Sequence, residues 1–220
     1  MFNGNLYING KWVNSSSKKK FDNLNPATGK SLGKYPSGNK NDVEKAVQAA
    51  SKAFISWKKT PAPKRAEILF EISHLLKKNK AKLAKIEVLE MGKVMKEALG
   101  DVQEAIDVFE YMAGEVRRLF GHTTPSELRN KFCMTKREPL GIVGLITPWN
   151  FPIAIPAWKL APALICGNAV IFKPSSDTPQ SAIELIKITE ETGIPKGVIN
   201  LITGSGEEVG NTIVTHPKIR

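Results

Sequence analysis

Three short stretches carry residue types able to bind or polarise a ligand. In Ile146-Thr147-Pro148-Trp149-Asn150-Phe151-Pro152 a single side-chain amide sits beside an indole and between two prolines, just after the apolar run LGIVGL. Proline fixes φ, so the segment holds that amide with little backbone freedom. In Phe172-Lys173-Pro174-Ser175-Ser176 a lysine ends an apolar run and is fixed by the proline that follows. Such an ammonium suits a ribose or phosphate oxygen; it equally suits a strand end whose charged head stays in water. In Gly204-Ser205-Gly206-Glu207-Glu208-Val209-Gly210 the glycines follow a GxGxxxG spacing. This differs from the GxGxxG of dinucleotide-binding turns and fits an ordinary strand-to-helix turn as well as a nucleotide contact. Cys133 and Cys166, with histidines at 74, 122 and 216, lack metal-ligand spacing, so neither a metal site nor a disulfide framework is expected.

These stretches have to be held by regular elements, and the hydrophobic periodicity supplies them. LYINGKWV alternates around Asn9-Gly10, a hairpin signal, and NPATGK marks a second turn, so small antiparallel strands come first. From Asn41 the period is helical: Val43, Ala46, Val47, Ala50, Ala53, Phe54 and Trp57 share a face, with Asn41 as N-cap and Glu44 three residues on. A second helix starts near Pro63, carries Ile68, Leu69, Ile72, Leu75 and Leu76 inward, and is expected to break near Asn79 before Leu83, Ile86 and Leu89. A third sets Val102, Ala105, Ile106, Phe109 and Met112 at helical spacing. The stretch from His122 to Pro139 reads as an extended arm or hairpin.

Beyond it the pattern repeats: GIVGLITP, NAVIFKP and GVINLITG are apolar strands, each followed by a helix, the second capped by Thr178 or Asp177. Runs of Val, Ile and Leu without polar alternation belong to strands covered on both faces, as in a parallel sheet. The expected fold is therefore α/β, a Rossmann-like doubly wound parallel sheet preceded by helices and small strands. In such sheets ligands lie beyond the carboxyl ends of the strands. All three chemical stretches fall at those ends and point to one crevice.

Composition bounds the alternatives. The chain has 220 residues, 41% of them hydrophobic and 24% charged, enough for one ordinary domain. Its longest apolar stretch, Ile153 to Phe172, contains Lys159, Pro156, Pro162 and Asn168 and is expected to be buried globular sequence, not a membrane span. The opening MFNGNLYING has no basic start and apolar core of a secretory signal, so the cytoplasm is the expected location. A net charge of +11, concentrated in the lysines at 18–20, 58–59 and 77–82, resembles a nucleic-acid binder in bulk. KKNKAK has no interleaved aromatics, however, and fits a solvated helix face, so no nucleic-acid partner is expected.

ITPWNFP, then FKPSSDTP, then GIPKGVINLITGSGEEVG, with INGKWV, NPATGK, EVLEMGK, FEYMAGEVRRLFG and REPLGIVG in their expected order, resemble the N-terminal part of the aldehyde dehydrogenase superfamily. The resemblance runs over essentially the whole chain. It implies a role for Asn150: the amide donates to the oxyanion formed when a cysteine thiolate attacks an aldehyde carbonyl. It implies that Ile146, Thr147, Pro148 and Trp149 lie beside the nicotinamide, that Lys173 reaches the adenine-ribose hydroxyls, and that Gly206 and Gly210 line the adenosine end. It further implies an incomplete aldehyde dehydrogenase fold: residues 1–220 as a cofactor-binding domain, interrupted by an oligomerisation arm at about 122–139, which would make the intact protein a homodimer or homotetramer.

Two departures shape the expectations. The family's glutamate base and nucleophilic cysteine lie beyond the positions this sequence covers, and Cys133 and Cys166 stand in the wrong contexts, so this chain alone is expected to be inactive. Many NAD-using relatives carry Glu where this chain has Ser176, a carboxylate that repels a 2′-phosphate. Serine tilts the expected cofactor, NADP or NAD, towards NADP. The expected activity of the whole enzyme is NAD(P)-dependent oxidation of an aldehyde, with substrate choice placed partly on the third helix near Phe109 and Met112. The alternative is a non-catalytic nucleotide-binding or interaction fragment.

Overall fold

The computed structural model describes residues 2–220, with side chains from Asn3 onward. Five short strands come first: β1 (Phe2–Asn3), β2 (Leu6–Ile8), β3 (Lys11–Val13), β4 (Lys20–Leu24) and β5 (Ser31–Pro36). Asn9 and Gly10 join β2 to β3 with φ of 53° and 71°, the two left-handed residues that a tight hairpin of right-handed twist requires. β1, β5 and β4 form a small separate sheet. Three long helices follow, α1 (Lys40–Trp57), α2 (Ala62–Met91) and α3 (Met95–Glu115), then a two-stranded arm of β6 (Thr123–Thr124) and β7 (Cys133–Met134).

The second half alternates strand and helix: β8 (Ile142–Ile146), α4 (Ala154–Ile165), β9 (Ala169–Lys173), α5 (Pro179–Glu191) and β10 (Ile199–Leu201). A π-helical turn at Gly206–Gly210 then leads into α6 (Asn211–Thr215). β8, β9 and β10 pair in parallel, and Ile219 bridges Ile142 in parallel on the far side of β8. The chain thus steps outward from β8 through β9 to β10 and returns to the other side of β8, which places the topological switch point at the carboxyl end of β8. α4 and α5 pack with α2 and α3 over one face, while α1 and α6 cover the other with Val43, Val47, Val209 and Ile213. Two covered faces explain the unbroken burial of β9, whose five residues are all buried. The expected doubly wound α/β fold is observed. Among the described residues no helix is long and apolar enough to cross a membrane, and Ile153–Phe172 folds as α4 and β9.

Several local expectations are corrected. The β2–β3 hairpin is not a detached preface: β2 pairs antiparallel with β10, Tyr7 opposite Leu201, so the main sheet is mixed, in the order β3-β2-β10-β9-β8. The N-cap of α1 is Asn39, not Asn41. Its side chain accepts from Asp42 N at 3.1 Å, and Asp42 reciprocates, so the capping box lies two residues earlier. α2 does not break at Asn79, whose side chain donates to Leu75 O and stays within the helix. Leu89 is exposed, and Glu87 and Glu90 take the inward positions instead.

Glu90 explains how α5 begins. Thr178 is its N-cap residue but makes no side-chain cap bond. The orphan donors Gln180 N and Ser181 N go to the two oxygens of Glu90 at 2.7 and 2.8 Å, and Ser181 Oγ adds a third bond of 2.7 Å. A carboxylate from the end of one helix thus caps the start of another and meets its positive dipole end. Burial nevertheless pushes the Glu90 carboxyl up to about 7. Glu90→Ala is expected to lower stability by about 3 kcal/mol, because it strands two buried N–H groups and a hydroxyl, with Glu90→Gln retaining part of the loss-free behaviour. Urea midpoints of the two variants check this, and equal midpoints for wild type and Glu90→Ala would refute the cap.

Candidate active site

Thr147 N donates to Lys173 O at 3.1 Å, extending the β8–β9 ladder one residue beyond β8. Ile146 O accepts from Lys159 Nζ at 2.7 Å. From there the chain leaves the sheet through Pro148 and Trp149, both exposed, and Trp149 is 51% exposed rather than packed away. At the other end of the loop Ala154 N, the start of α4, donates to Asp101 Oδ1 at 2.6 Å. Asn150 is half-buried between these two anchors, and its side chain makes no hydrogen bond among the described residues. Its amide therefore keeps both donors for a ligand while the backbone fixes its position. It faces a cavity of about 470 Å³ lined also by Met91, Glu97, Asp101, Glu104 and Phe151.

Beneath the loop lies a buried charge cluster that the sequence reading missed. Lys93 Nζ is 2.9 Å from Asp101 Oδ2 and 3.6 Å from Glu87 Oε2. The same ammonium stands 4.3 Å from the centre of the Phe151 ring, which stacks on Trp158. Glu87 is 0% exposed, and neither of its oxygens has a hydrogen-bond partner. Burial first, and then the negative charge of Asp101, push its carboxyl up to about 9 against the pull of Lys93. At 3.6 Å Lys93 therefore faces a carboxyl whose neutral form is favoured at neutral pH, and its close charged partner is Asp101. The one available signal was positional, since Asp101 falls on the buried stripe of α3 with Ala98, Val102 and Ala105.

The other two strand ends meet at one carbonyl. Lys173 is 4% exposed, and its Nζ donates to Pro174 O at 2.7 Å and Gly204 O at 3.1 Å. Burial holds its pKa below the usual lysine value, with Asp177 opposing. It is not a solvated strand end but a fixed cation with one proton uncommitted. Ser176 Oγ donates to the same Gly204 O at 3.0 Å. Its hydroxyl proton is thus committed, and the oxygen presents lone pairs outward. Gly204 has φ of 142°, and a Cβ there would lie 2.8 Å from Val209, so only glycine fits. A Cβ on Gly210 would stand 3.8 Å from Lys173 Cε, close to Ile146. A Cβ on Gly206 would meet nothing within 4 Å, so internal packing does not ask for glycine there. A second groove, about 480 Å³, runs past Ser176, Asp177 and Thr178 to Trp149, whose indole lines both cavities.

Phe109 and Met112, expected near the substrate, do not line this site. Phe109 is fully buried in the helical core, so it cannot select a substrate; the α3 residues that line the Asn150 cavity are Glu97, Gly100, Asp101 and Glu104. Neither cysteine lines it. Cys133 is exposed on the arm, and Cys166 is half-buried at the end of α4, where burial pushes its thiol up.

Switch-point topology, with an amide, a lysine and a glycine turn at the strand ends, defines a doubly wound α/β domain. The aldehyde dehydrogenase family model matches residues 12–220, and the chain belongs to that family. It is 43% identical over 214 residues to a D-glyceraldehyde dehydrogenase (NADP(+)) of Thermoplasma acidophilum, covering 97% of this chain and 43% of that protein. It is 42% identical over 214 residues to malonate-semialdehyde dehydrogenase 1 of Geobacillus kaustophilus, with 97% and 44% covered. Among solved structures, 3,6-anhydro-L-galactose dehydrogenase in complex with NAP superposes with a TM-score of 0.96 at 35% identity, over 99% of this chain and 46% of that one. A betaine aldehyde dehydrogenase of Staphylococcus aureus in complex with NAD+ gives 0.95 at 36%, over 98% and 44%. The chain therefore spans less than half the length of these relatives.

The protonated Glu87 makes a signed pH prediction. A carboxyl raised from 4.5 to about 9 on folding adds stability that is complete below the unfolded value and is lost as pH rises through the folded one. Glu87→Gln keeps the neutral form at every pH. Its urea midpoint, relative to wild type, is expected to rise steadily between pH 5 and 9, and a pH-independent difference would show that Glu87 is ionised in the fold.

Proposed function

We propose that this chain is the cofactor-binding and oxyanion-stabilising part of an NAD(P)-dependent aldehyde dehydrogenase that oxidises an aldehyde to a carboxylic acid through a cysteine thiohemiacetal. The observation that carries the reading is Asn150: an amide with no hydrogen-bond partner among the described residues, fixed by Thr147 at one end of its loop and Asp101 at the other, at the mouth of a cavity. A donor already in place meets charge as it develops on the carbonyl oxygen and needs no reorganisation at the moment of reaction. The thiolate nucleophile and general base belong, on this reading, to the part of the protein outside residues 1–220.

The strand ends also fit a dinucleotide. Lys173 offers one free proton in a fixed position, Ser176 offers oxygen lone pairs, and Gly206 leaves room for a close backbone approach. Lys173 and Ser176 would hold the adenosine ribose, Gly206 and Gly210 its adenosine end, and Ile146 to Trp149 the nicotinamide side. When bound, the nicotinamide supplies the hydride acceptor. With no carboxylate at position 176 to repel a 2′-phosphate, NADP is favoured over NAD, in keeping with the naming of the Thermoplasma relative for NADP(+). The arm at about 122–139 exposes Leu128, Phe132 and Met134 on a hairpin with almost no core of its own. This supports an oligomerisation role in a homodimer or homotetramer.

In the whole enzyme, Asn150→Ala is expected to lower kcat by roughly 100- to 1000-fold with little change in cofactor affinity; a fall below about tenfold, with chemistry rate-limiting, would remove the oxyanion role. Ser176→Glu is expected to weaken kcat/KM for NADP by at least about tenfold, or roughly 1.4 kcal/mol, and to maintain that for NAD. An unchanged NADP/NAD ratio would mean that residue 176 does not face the ribose.

A further inference from the structure

A cavity of about 550 Å³ opens at the amino ends of β8 and β9, the end of the sheet opposite Asn150. Five residue steps along β9 separate Asn168 in its lining from Lys173, roughly 16 Å at 3.3 Å per residue. Lys58, Lys59, Arg65, Lys136 and Arg137 line it, against the single carboxylate of Glu138, which is already 2.7 Å from Lys136 Nζ.

Arg65 is the unusual member. It is 8% exposed, yet no carboxylate pairs with it among the described residues. Its Nε donates to Ile165 O at 2.9 Å and its Nη1 to Thr60 O, while Nη2 makes no hydrogen bond. Gly167 lies beside the guanidinium: its φ of 86° is what asks for glycine, since a Cβ there would make only ordinary contact, 3.4 Å from Arg65 Cζ. A buried cation held by carbonyls alone, with one nitrogen turned to a cavity, is a prepared anion contact. The amino end of the 30-residue helix α2 opens into the same space through Thr60, Pro61 and Ala62, with no side-chain cap and no acidic residue in its first turn. Pro61 and Pro63 have no N–H, and Lys64 N and Arg65 N bond Pro61 O, so this end contributes its dipole and the N–H of Ala62 alone. Val116, Leu119 and Leu140 form an apolar wall beside these donors.

We propose that this cavity binds the phosphate group of a small phosphate monoester, with the ester's carbon portion against the apolar wall. The site is independent of the cofactor crevice and goes beyond the proposed activity. The volume exceeds that of a bare anion, and the array of guanidinium, lysines and helix end suits a dianion better than a single carboxylate.

Cys166 lines the cavity and provides the readout. Iodoacetamide labelling of Cys166 at pH 8.5 is followed by peptide mass spectrometry, with the exposed arm residue Cys133 as the internal control. Phenyl phosphate is expected to slow Cys166 labelling at least about fivefold at saturation, at lower concentration than inorganic phosphate, and to leave Cys133 unchanged. Lys59→Gln with Lys136→Gln, both exposed, is expected to raise the half-protecting concentration at least about fivefold. The proposal fails if phenyl phosphate leaves the Cys166 rate unchanged at about 10 mM, or if sodium chloride at matched ionic strength protects equally. It fails for the monoester class if inorganic phosphate or benzoate protects as well as phenyl phosphate.

Discussion

The Asp101 carboxylate holds the Asn150 loop to the rest of the molecule. One of its oxygens takes the first N–H of α4 and the other takes the ammonium of Lys93, which in turn lies over the Phe151 ring. A buried charge is tolerated only when paired and hydrogen-bonded, and here both conditions are met by groups that bracket Asn150 in sequence. Protonation of Glu87 is part of the same arrangement. A second negative charge would leave Lys93 outnumbered in a buried site, which favours the neutral acid.

At the neighbouring strand ends one carbonyl does comparable work. Gly204 O gathers the ammonium of Lys173 and the hydroxyl of Ser176, so the loops after β9 and β10 are tied to each other before any ligand arrives. The left-handed backbone at Gly204 aims that oxygen inward, and no side chain fits in its place. Fixed donors and acceptors at a switch point reduce the ordering that a ligand would otherwise impose. The cost is a lysine kept in a poorly solvated position.

The sequence made the alternation of strands and helices legible because each element carries its own period, and it made the strand-end loops legible because Pro and Gly punctuate them. Asn150, Lys173 and the glycine turn stand where that pattern placed them. What was not legible depends on contacts between distant residues. Glu90 lies in a helix whose stripe reads simply as apolar, and its meaning comes from two N–H groups 90 and 91 residues away. Asp101 likewise looks like an interruption of the α3 stripe until Ala154 meets it. The misplacement of Phe109 has the same origin: helical spacing tells which face is inward but not whether inward means core or cavity. Asn39 and Asn41 both begin plausible caps, and only the reciprocal bond with Asp42 distinguishes them.

The β2–β3 hairpin sets an order on assembly. Its turn is local and closes within microseconds, but β2 finds its sheet partner in β10, and Asn9 N reaches Asn200 Oδ1 across 191 residues. A ribosome adds residues at roughly 5–20 per second, so the first hairpin waits some ten seconds or more for the strand it must join. During that interval Leu6, Tyr7 and Ile8, all buried in the finished sheet, lack the neighbouring strand they pair with. The opening strand reaches its place only after β10 has been made, and until then the nascent chain presents an adhesive strand edge.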